Sequence, residues 1–386
     1  MKKVLQISNY LYPNFGGIEH VTRCIANVLS ENGEFEQKII CFNETASDGD
    51  HVCKREETVY DEVDGIEVIR CGCITKKFSQ SISLSFGREL DKVMEDFKPD
   101  ILIFHYPNPY QAAFLMKYLR RDFRFILYWH LDIVRQKLLG KIFHKQSLRL
   151  LERADKIVAT SPNYVDGSPY LRKYREKCTV IPNCIDESRL TITDKRKKRA
   201  EEIRQINKDK IICFAVGRHV KYKGFKYLIE ASRLLDDRFH IIIGGKGPLT
   251  EELKTLAVGN QNIEFPGMIS ENDLIAYYQA MDIFCFPSIT KNEAFGIAIA
   301  EAMYFSKPVV TFHIPGSGVN YVNQKDITGL EVENRDVIAF ADAIQYLADD
   351  KNLRMRMGFS AKERVKSLFL YSQFQKSVLR LLEMKA

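Results

Sequence analysis

No run of eighteen apolar residues occurs in this chain, so the sequence offers no helix able to cross a bilayer. Its opening, MKKVLQISNY, has two lysines, but the apolar run breaks at Ser8. That is too soon for a secretory signal peptide, and the segment reads as a first buried strand. The nine cysteines contain no CxxC pair, and their odd number and scatter fit a reducing cytoplasm rather than a disulfide framework. RNA-binding signatures, zinc fingers, short-period repeats and low-complexity tracts are all missing. What is present is the composition of an ordinary globular protein, 45% apolar and 28% charged. At 386 residues the chain exceeds what one hydrophobic core usually holds, so two domains are expected.

The net charge of +7 is unevenly spread. Residues 101–180 hold 15 Lys/Arg against 6 Asp/Glu, a balance of +9 that leaves −2 for the rest. Lys117, Arg120, Arg121 and Arg124 form one cluster, and Arg135, Lys137, Lys141, Lys145, Arg149 and Arg153 another. Such clusters attract phosphates, on nucleic acid or on anionic lipid, and a solvated helix face has the same appearance. With no nucleic-acid signature, an anionic membrane surface is the preferred partner and no nucleic acid is expected. His51, Cys53, Cys71 and Cys73 spell HxC…CxC and offer four zinc ligands. Structural zinc sites favour C-x(2–4)-C spacing, however, and a hairpin with buried thiols accounts for the pattern as well.

Short apolar runs alternate with helical patterns. VLQIS (4–8), KIICF (38–42), IEVIRC (66–71), DILIFHY (100–106), FRFILYWH (123–130) and KIVATS (156–161) read as strands, and EHVTRCIANVLSENG as a helix ending on Gly33. After KCTVIPNCID (177–186) the pattern restarts. DKRKKRAEEIRQINKDK (194–210) lacks an apolar face of any width and reads as a solvated stretch beside a domain junction. IICFAVG (211–217), FHIIIGGKG (239–247), IEFPG (263–267), DIFCFPS (282–288) and KPVVTF (307–312) give a second strand series, with GFKYLIEASRLL as a helix among them. Near-continuous apolar strands separated by helices imply parallel sheets covered on both faces. The expected fold is α/β, two doubly wound Rossmann-like domains with a cleft between them, residues 1–185 and 186–367. A last helix from about Ser367, with Leu368, Phe374, Val378, Leu381 and Leu382, must dock somewhere.

Three blocks carry chemistry. In GRHVKYKGF (217–225), Arg218 and Lys223 follow a strand and precede a helix, a place where two cations and free backbone N–H groups suit a diphosphate. The GGKGP segment (244–248) adds a second Gly-rich turn. In PNFGGIEH (13–20), Gly16 and Gly17 allow a close backbone approach to a ligand, or make only a tight turn. In NEAFGIAIAEAM (292–303), Ala294, Phe295 and Gly296 read as the first turn of a helix. Glu293 stands just before it at the loop tip, and Glu301 lies about two turns in. Two carboxylates so placed can contact two parts of one long molecule, a sugar and a ribose. His130 ends a strand, where a lone histidine is often only a satisfied polar group. Trp129, the single Trp, reads as core.

Together, GGIE, GRHVKYKG and NEAFGIAIAE, in that order, resemble the retaining family 4 glycosyltransferases of GT-B fold. The resemblance spans nearly the whole chain and takes in IPNCID and GSGVNYVNQKDITGLEV. WHLDIVRQK (129–137) and ATSPNY (159–164) look like a bacterial subgroup that builds surface polysaccharide. The resemblance implies that Arg218 and Lys223 neutralise the diphosphate of a UDP- or GDP-sugar. It implies that Glu293 and the backbone of Ala294, Phe295 and Gly296 bind the donor sugar, and that Glu301 holds the ribose. Gly16 and Gly17 would approach the phosphates, His130 would face the donor sugar near the reacting carbon, and Asp132 would help place the acceptor. It also implies that the helix 368–386 crosses back to the first domain. One departure is Cys184, where glycine is frequent, so the backbone there should be ordinary rather than left-handed.

The expected reaction moves a sugar with retention to a hydroxyl of a glycan or a polyprenyl-diphosphate-linked oligosaccharide, at the inner face of the cytoplasmic membrane. Cofactors are none and no metal is expected. The DGD triplet at 48–50 looks like the metal-binding Asp pair of other sugar-transfer enzymes but reads as a loop. A sugar-nucleotide epimerase of the same fold, a non-catalytic nucleotide-sugar-binding subunit and, from the 101–180 charge alone, a nucleic-acid-binding protein are the rival readings.

Overall fold

The computed structural model describes residues 1–14, 16–44, 54, 56–77, 80–133 and 137–384. His51, Cys53 and the DGD triplet lie outside them. The chain forms two compact units. The first comprises Met1–Thr160, Ser168–Ile181 and Gln375–Ala386, and the second Ser161–Gly167 and Pro182–Phe374.

The first unit is built on strands β1 (Lys2–Ile7), β2 (Phe35–Phe42), β3 (Val59–Val63), β4 (Ile66–Cys71), β7 (Ile101–Tyr106), β8 (Arg124–Trp129), β9 (Lys156–Ala159) and β10 (Cys178–Val180), with a small hairpin of β5 (Thr75–Lys77) and β6 (Gln80–Ile82). The sheet order is β10-β9-β8-β7-β1-β2-β4-β3, all parallel except β3, which runs antiparallel along the edge. The order reverses between β1 and β7. The helix Gly17–Asn32 buries Val21, Cys24, Ile25, Val28 and Leu29, an i, i+3, i+4 stripe, and stops at Gly33, whose left-handed φ of 74° returns its N–H to Leu29. Trp129 is fully buried and stacks on Tyr106, its register partner, at 3.8 Å between centroids. Burial keeps the Cys71 and Cys73 thiols protonated, raising the latter to about 12.

The second unit has strands β11 (Ile211–Val216), β12 (Phe239–Gly244), β13 (Ile263–Gly267), β14 (Ile283–Phe286), β15 (Val309–Phe312) and β16 (Gly329–Val332), in the parallel order β13-β12-β11-β14-β15-β16. Its order reverses between β11 and β14. Both strands are apolar and buried on both faces, as expected where helices cover a sheet on each side.

Three expectations need correction. Residues 194–210 are not a loose solvated stretch, because Asp194–Ile206 is a helix capped by the Thr193 hydroxyl. A seam of only Ala200 and Ile203 is buried, while Arg196 and Arg199 bond Asn272 and Asp273 on a neighbouring helix. The C-terminal stretch is broken at Phe369 and Leu370, so Leu368 ends one helix (Lys351–Leu368) and a second runs from Tyr371 to Glu383. Third, several cations of the basic region meet carbonyl oxygens rather than solvent. Lys177 bonds the carbonyls of Leu151, Glu152 and Ala154 at the end of the helix Lys137–Arg153, and Arg153 bonds those of Leu119, Arg121 and Phe123. Arg124 donates to the carbonyls of Leu381 and Leu382 at 2.6 and 2.8 Å, closing the last helix in the first unit. Cys184 has no positive φ, as expected.

Replacing Arg124 by Ala should cost about 1.5–3 kcal/mol, because charged donors to the last helical carbonyls are lost. The calorimetric midpoint should fall by roughly 2–4 °C per kcal/mol, and an unchanged midpoint would show that the last helix docks without this cap.

Candidate active site

In a parallel sheet, the loops at the carboxyl ends of the strands diverge where the order reverses and leave space there for a ligand. In the second unit, those loops are residues 217–224 after β11 and 287–296 after β14, and they hold most of the residues singled out from the sequence.

The first loop is fixed by backbone packing. Gly224 has φ 66°, and a Cβ on it would lie 2.0 Å from the Pro287 carbonyl oxygen, so only glycine lets the two loops meet. Gly245 and Gly247 owe their identity to similar approaches, to the backbone of Gly217 and His219. The GGKGP turn thus braces the β11 loop, with His219 N–H donating to the Lys246 carbonyl at 3.1 Å and His219 Nδ1 meeting the Thr250 hydroxyl at 3.0 Å. Arg218 emerges exposed from this frame.

Lys223 and Glu293 meet directly as an ion pair, each side chain only 14% exposed. The Lys223 ammonium also lies 4.8 Å from the Phe286 ring centroid. Burial pulls the lysine pKa down, but the Glu293 carboxylate and Tyr222 outweigh burial and hold it above its ordinary value. Ser288 donates to the same Glu293 oxygen at 3.4 Å, and the Ser317 hydroxyl donates to the Glu293 carbonyl at 2.5 Å. Glu293 is therefore clamped rather than projecting from a loop tip. An ammonium has three N–H donors, so Lys223 can hold Glu293 and still donate to an anion.

The helix begins later than its sequence suggests. It runs from Ile297 to Tyr304, with Gly296 as N-cap at φ 95°, so Ala294, Phe295 and Gly296 lie in the preceding loop. The reason is the left-handed glycine, together with Gly318, on which a Cβ would lie 2.0 Å from the Ala294 carbonyl oxygen. Glu301 is consequently just over one turn into the helix, not two. The fully buried Tyr278 donates its hydroxyl to Glu301 at 2.9 Å. Burial, then the carboxylate, raises the tyrosine pKa and keeps that proton in place.

In the first unit, Gly16 is the N-cap of the helix that opens at Gly17. A Cβ on Gly16 would lie 2.2 Å from a carboxylate oxygen of Glu19, whereas one on Gly17 would meet nothing within 4 Å. Gly16 thus makes room for a carboxylate of its own chain at the helix N-terminus, and burial raises the Glu19 pKa. Asp132 is 3% exposed, and one of its oxygens accepts from Trp129 Nε1 at 3.0 Å and from the Ser168 hydroxyl at 2.7 Å. His130, 4% exposed, turns its Nε2 inward to His105 Nδ1 at 2.9 Å.

The structure thus brings Lys223 and Glu293 into contact, sets Arg218 on the Lys223 loop, and puts Glu301 one turn into the helix that the Glu293 loop leads into. His130, Asp132, Gly16 and Gly17 belong to the other unit. Sequence reasoning missed Tyr278, Ser288, Ser317 and His105. Only Ser288 is near its partner in sequence, and neither spacing nor residue type marks any of them.

Comparison with known proteins agrees with this architecture. The profile described as Glycosyltransferase Family 4 matches residues 15–189, and that described as Glycosyl transferases group 1 matches residues 196–364. The chain is 28% identical over 370 residues to O-antigen chain mannosyltransferase C of Escherichia coli, covering 95% of this chain and 94% of that protein. It is 32% identical over 295 residues to D-rhamnosyltransferase WbpZ of Pseudomonas aeruginosa, covering 75% and 74%. The crystal structure of Anabaena HepE in complex with UDP and glucose superposes with a TM-score of 0.76 at 16% identity, covering all of both chains. The fold is the two-domain GT-B arrangement of Rossmann-like units.

The ion pair has a testable pH signature. Replacing Lys223 by Met leaves Glu293 without its countercharge and should cost about 3 kcal/mol in denaturant unfolding, the lower end for a buried pair because some solvent reaches both groups. A lysine pKa raised by folding contributes stability that is complete below the unfolded value of about 10.4 and is lost as pH climbs through the folded value. The gap between wild type and variant should be constant across neutral pH and shrink only above it. A gap already closing below pH 9 would contradict the pairing.

Proposed function

The chain belongs to glycosyltransferase family 4, and from that premise we propose how its residues divide the work of a surface-polysaccharide hexosyltransferase. As a glycosyltransferase of this family it takes its sugar from a nucleotide-sugar donor and passes it to a glycan. The donor's diphosphate lies against Arg218 and the remaining N–H donors of Lys223. Glu293 and the 294–296 backbone bind the sugar, and Glu301, braced by Tyr278, accepts from the ribose hydroxyls. Gly17, open where a side chain would stand, lets the first unit's helix N-terminus approach the phosphates, with Gly16 and the Glu19 carboxylate beside it. His130 faces the sugar near the reacting carbon, and Asp132 positions the acceptor through the Trp129 and Ser168 turn that it holds.

The observation that carries this reading is the gathering of a guanidinium and a clamped ammonium–carboxylate pair at the β11/β14 switch point. Because Lys223 and Glu293 cancel in charge, Arg218 supplies the net positive field for the leaving diphosphate. The residues also suit a reaction without a metal. One carboxylate already bonded to an ammonium, beside a guanidinium, is no oxygen cage for a divalent cation. The donor is a UDP- or GDP-sugar and the anomeric configuration is retained. The bond from the anomeric carbon to the diphosphate oxygen breaks, the acceptor oxygen bonds the same face, and its proton passes to the departing phosphate. The acceptor is an oligosaccharide on polyprenyl diphosphate at the inner face of the cytoplasmic membrane.

Turnover with a panel of nucleotide sugars and a lipid-linked acceptor, with and without chelator, tests the assignment. Arg218→Ala should lose about 100- to 1,000-fold in kcat, the ~2.7–4 kcal/mol typical of one preorganised donor, with unchanged circular dichroism. The product anomer should match the donor, and chelator should have no effect. Near-wild-type activity of Arg218→Ala, an inverted product, or a sugar found covalently bound to the protein would each refute the part it addresses. Conversion of donor alone into another nucleotide sugar would replace transfer by epimerisation.

Membrane attachment draws on a groove of about 650 Å³ lined by Met116, Lys117, Leu119, Arg120, Arg149, Glu152 and Arg153. Lys117 is paired with Asp91 and Arg153 serves carbonyls, and Arg120 and Arg149 outnumber the single lining carboxylate, that of Glu152, in the groove's remaining charge. Vesicles containing anionic lipid should co-sediment the protein, and neutral vesicles should not. Arg120→Glu with Arg149→Glu should abolish binding, and retention by the double variant would move the contact elsewhere.

A further inference from the structure

Three polar side chains form a staircase across the centre of the first unit's sheet. Gln6 on β1 pairs in register with Ile103 on β7, and His105 stands two residues further along the same face. His105 pairs with Tyr128 on β8, and His130 stands two residues beyond that. Each step moves one strand across and two residues toward the carboxyl edge. The steps are hydrogen-bonded, His105 Nε2 to the Gln6 side-chain amide at 3.1 Å and His105 Nδ1 to His130 Nε2 at 2.9 Å. The two imidazoles lie 17° from parallel, with Tyr128 stacked on both. His105 is wholly buried and His130 nearly so. Burial lowers both pKa values, to about 3 for His105, and the neighbouring ring lowers that of His130 further.

Two neutral imidazoles carry one N–H each, so the bond between them has a single direction, and that direction is set at Gln6. If the amide oxygen faces His105, then His105 donates from Nε2, accepts at Nδ1, and receives its proton from His130 Nε2. His130 Nδ1 is then an acceptor. In that arrangement the Gln6 amide nitrogen is buried without any partner, leaving two N–H groups unsatisfied. If the amide is turned, one N–H bonds His105 Nε2, and the unpaired groups become one N–H and the carbonyl oxygen; a carbonyl oxygen without a partner costs less than a second orphaned N–H. His105 then donates from Nδ1 to His130 Nε2, and the His130 proton sits on Nδ1, which meets no hydrogen-bond partner among the described residues.

We propose that Gln6, acting through His105, fixes His130 as the neutral Nδ1–H tautomer, so that strand β8 ends in a hydrogen-bond donor. Gln6 and His105 are positioning residues, neither reaching a ligand itself. On the reading that His130 faces the transferred sugar, the relay supplies a donor for a sugar oxygen. It adds no positive charge beside a carbon that becomes cationic as the diphosphate leaves. That last part rests on the proposed function, whereas the tautomer does not.

Long-range proton–nitrogen spectra of protein labelled with ¹⁵N-histidine read the tautomer directly, with His130 identified as the signals missing from His130→Asn. In the wild type, Nδ1 should show the shift of a protonated nitrogen and Nε2 that of a bare one, unchanged across neutral pH. The opposite pattern, or an averaged one, would overturn the proposal, and this measurement needs no folded variant at Gln6. Gln6→Glu with its carboxylate ionised, as read from the ¹³C carboxyl shift, can only accept, so it should reverse the pattern at His130 and lower kcat at least tenfold with little change in donor KM. A Gln6→Glu protein that folds with the carboxylate ionised but keeps the wild-type tautomer would sink the relay. A reversed tautomer with undiminished kcat would uphold the relay and remove His130 from the reaction.

Discussion

An ammonium and a carboxylate held together almost out of water are costly to keep there, and the second unit is organised to keep the Lys223–Glu293 pair. The pair exists because two loops are forced into contact, and they are in contact because glycines remove the side chains that would part them. Gly224 admits the Pro287 carbonyl, Gly318 admits that of Ala294, and Gly296 turns the chain left-handed so that the helix starts beyond Glu293. Beneath them, β11 and β14 are buried on both faces and supply a rigid edge. Remove any of these and the pair is either broken or hydrated.

Elsewhere too, polar groups are placed by this economy of satisfied partners. Buried Asp132 serves an indole N–H and a serine hydroxyl, Glu301 takes the proton of a fully buried tyrosine, and His130 leans on His105 and Gln6. Each bond fixes one face of the side chain and leaves the other face defined. The same logic consumes much of the basic cluster of the first unit. Arg124, Arg153 and Lys177 close helix and loop carbonyls, so charge counted along the sequence overstates the charge presented to a partner.

Much of the architecture was legible in the sequence. Parallel strands buried on two faces are continuous apolar runs, and turns between them need glycine, so β1, β2, β4, β7, β8, β9 and β11–β15 could be located from local pattern, as could the helix ending at Gly33. The edge strand β3, half exposed and polar, carries no such signal. Nor does the helix 194–206, which is held by arginine contacts to another helix rather than by an apolar stripe of its own. The start of the 297–304 helix was misplaced because a left-handed glycine looks, in sequence, like any other glycine.

Residue types and their order along the chain mark the blocks proposed as reactive, because diphosphate and hydroxyl recognition need cations, carboxylates and bare backbone at strand ends. The sequence by itself therefore determined two doubly wound units and named Arg218, Lys223, Glu293, Glu301 and His130. Only the tertiary structure decided that Lys223 and Glu293 touch, that Tyr278 holds Glu301, and that His130 answers to a glutamine 124 positions away. Those pairings join residues on different loops, helices and strands. Their distance is set by sheet register and backbone packing, which no local pattern encodes.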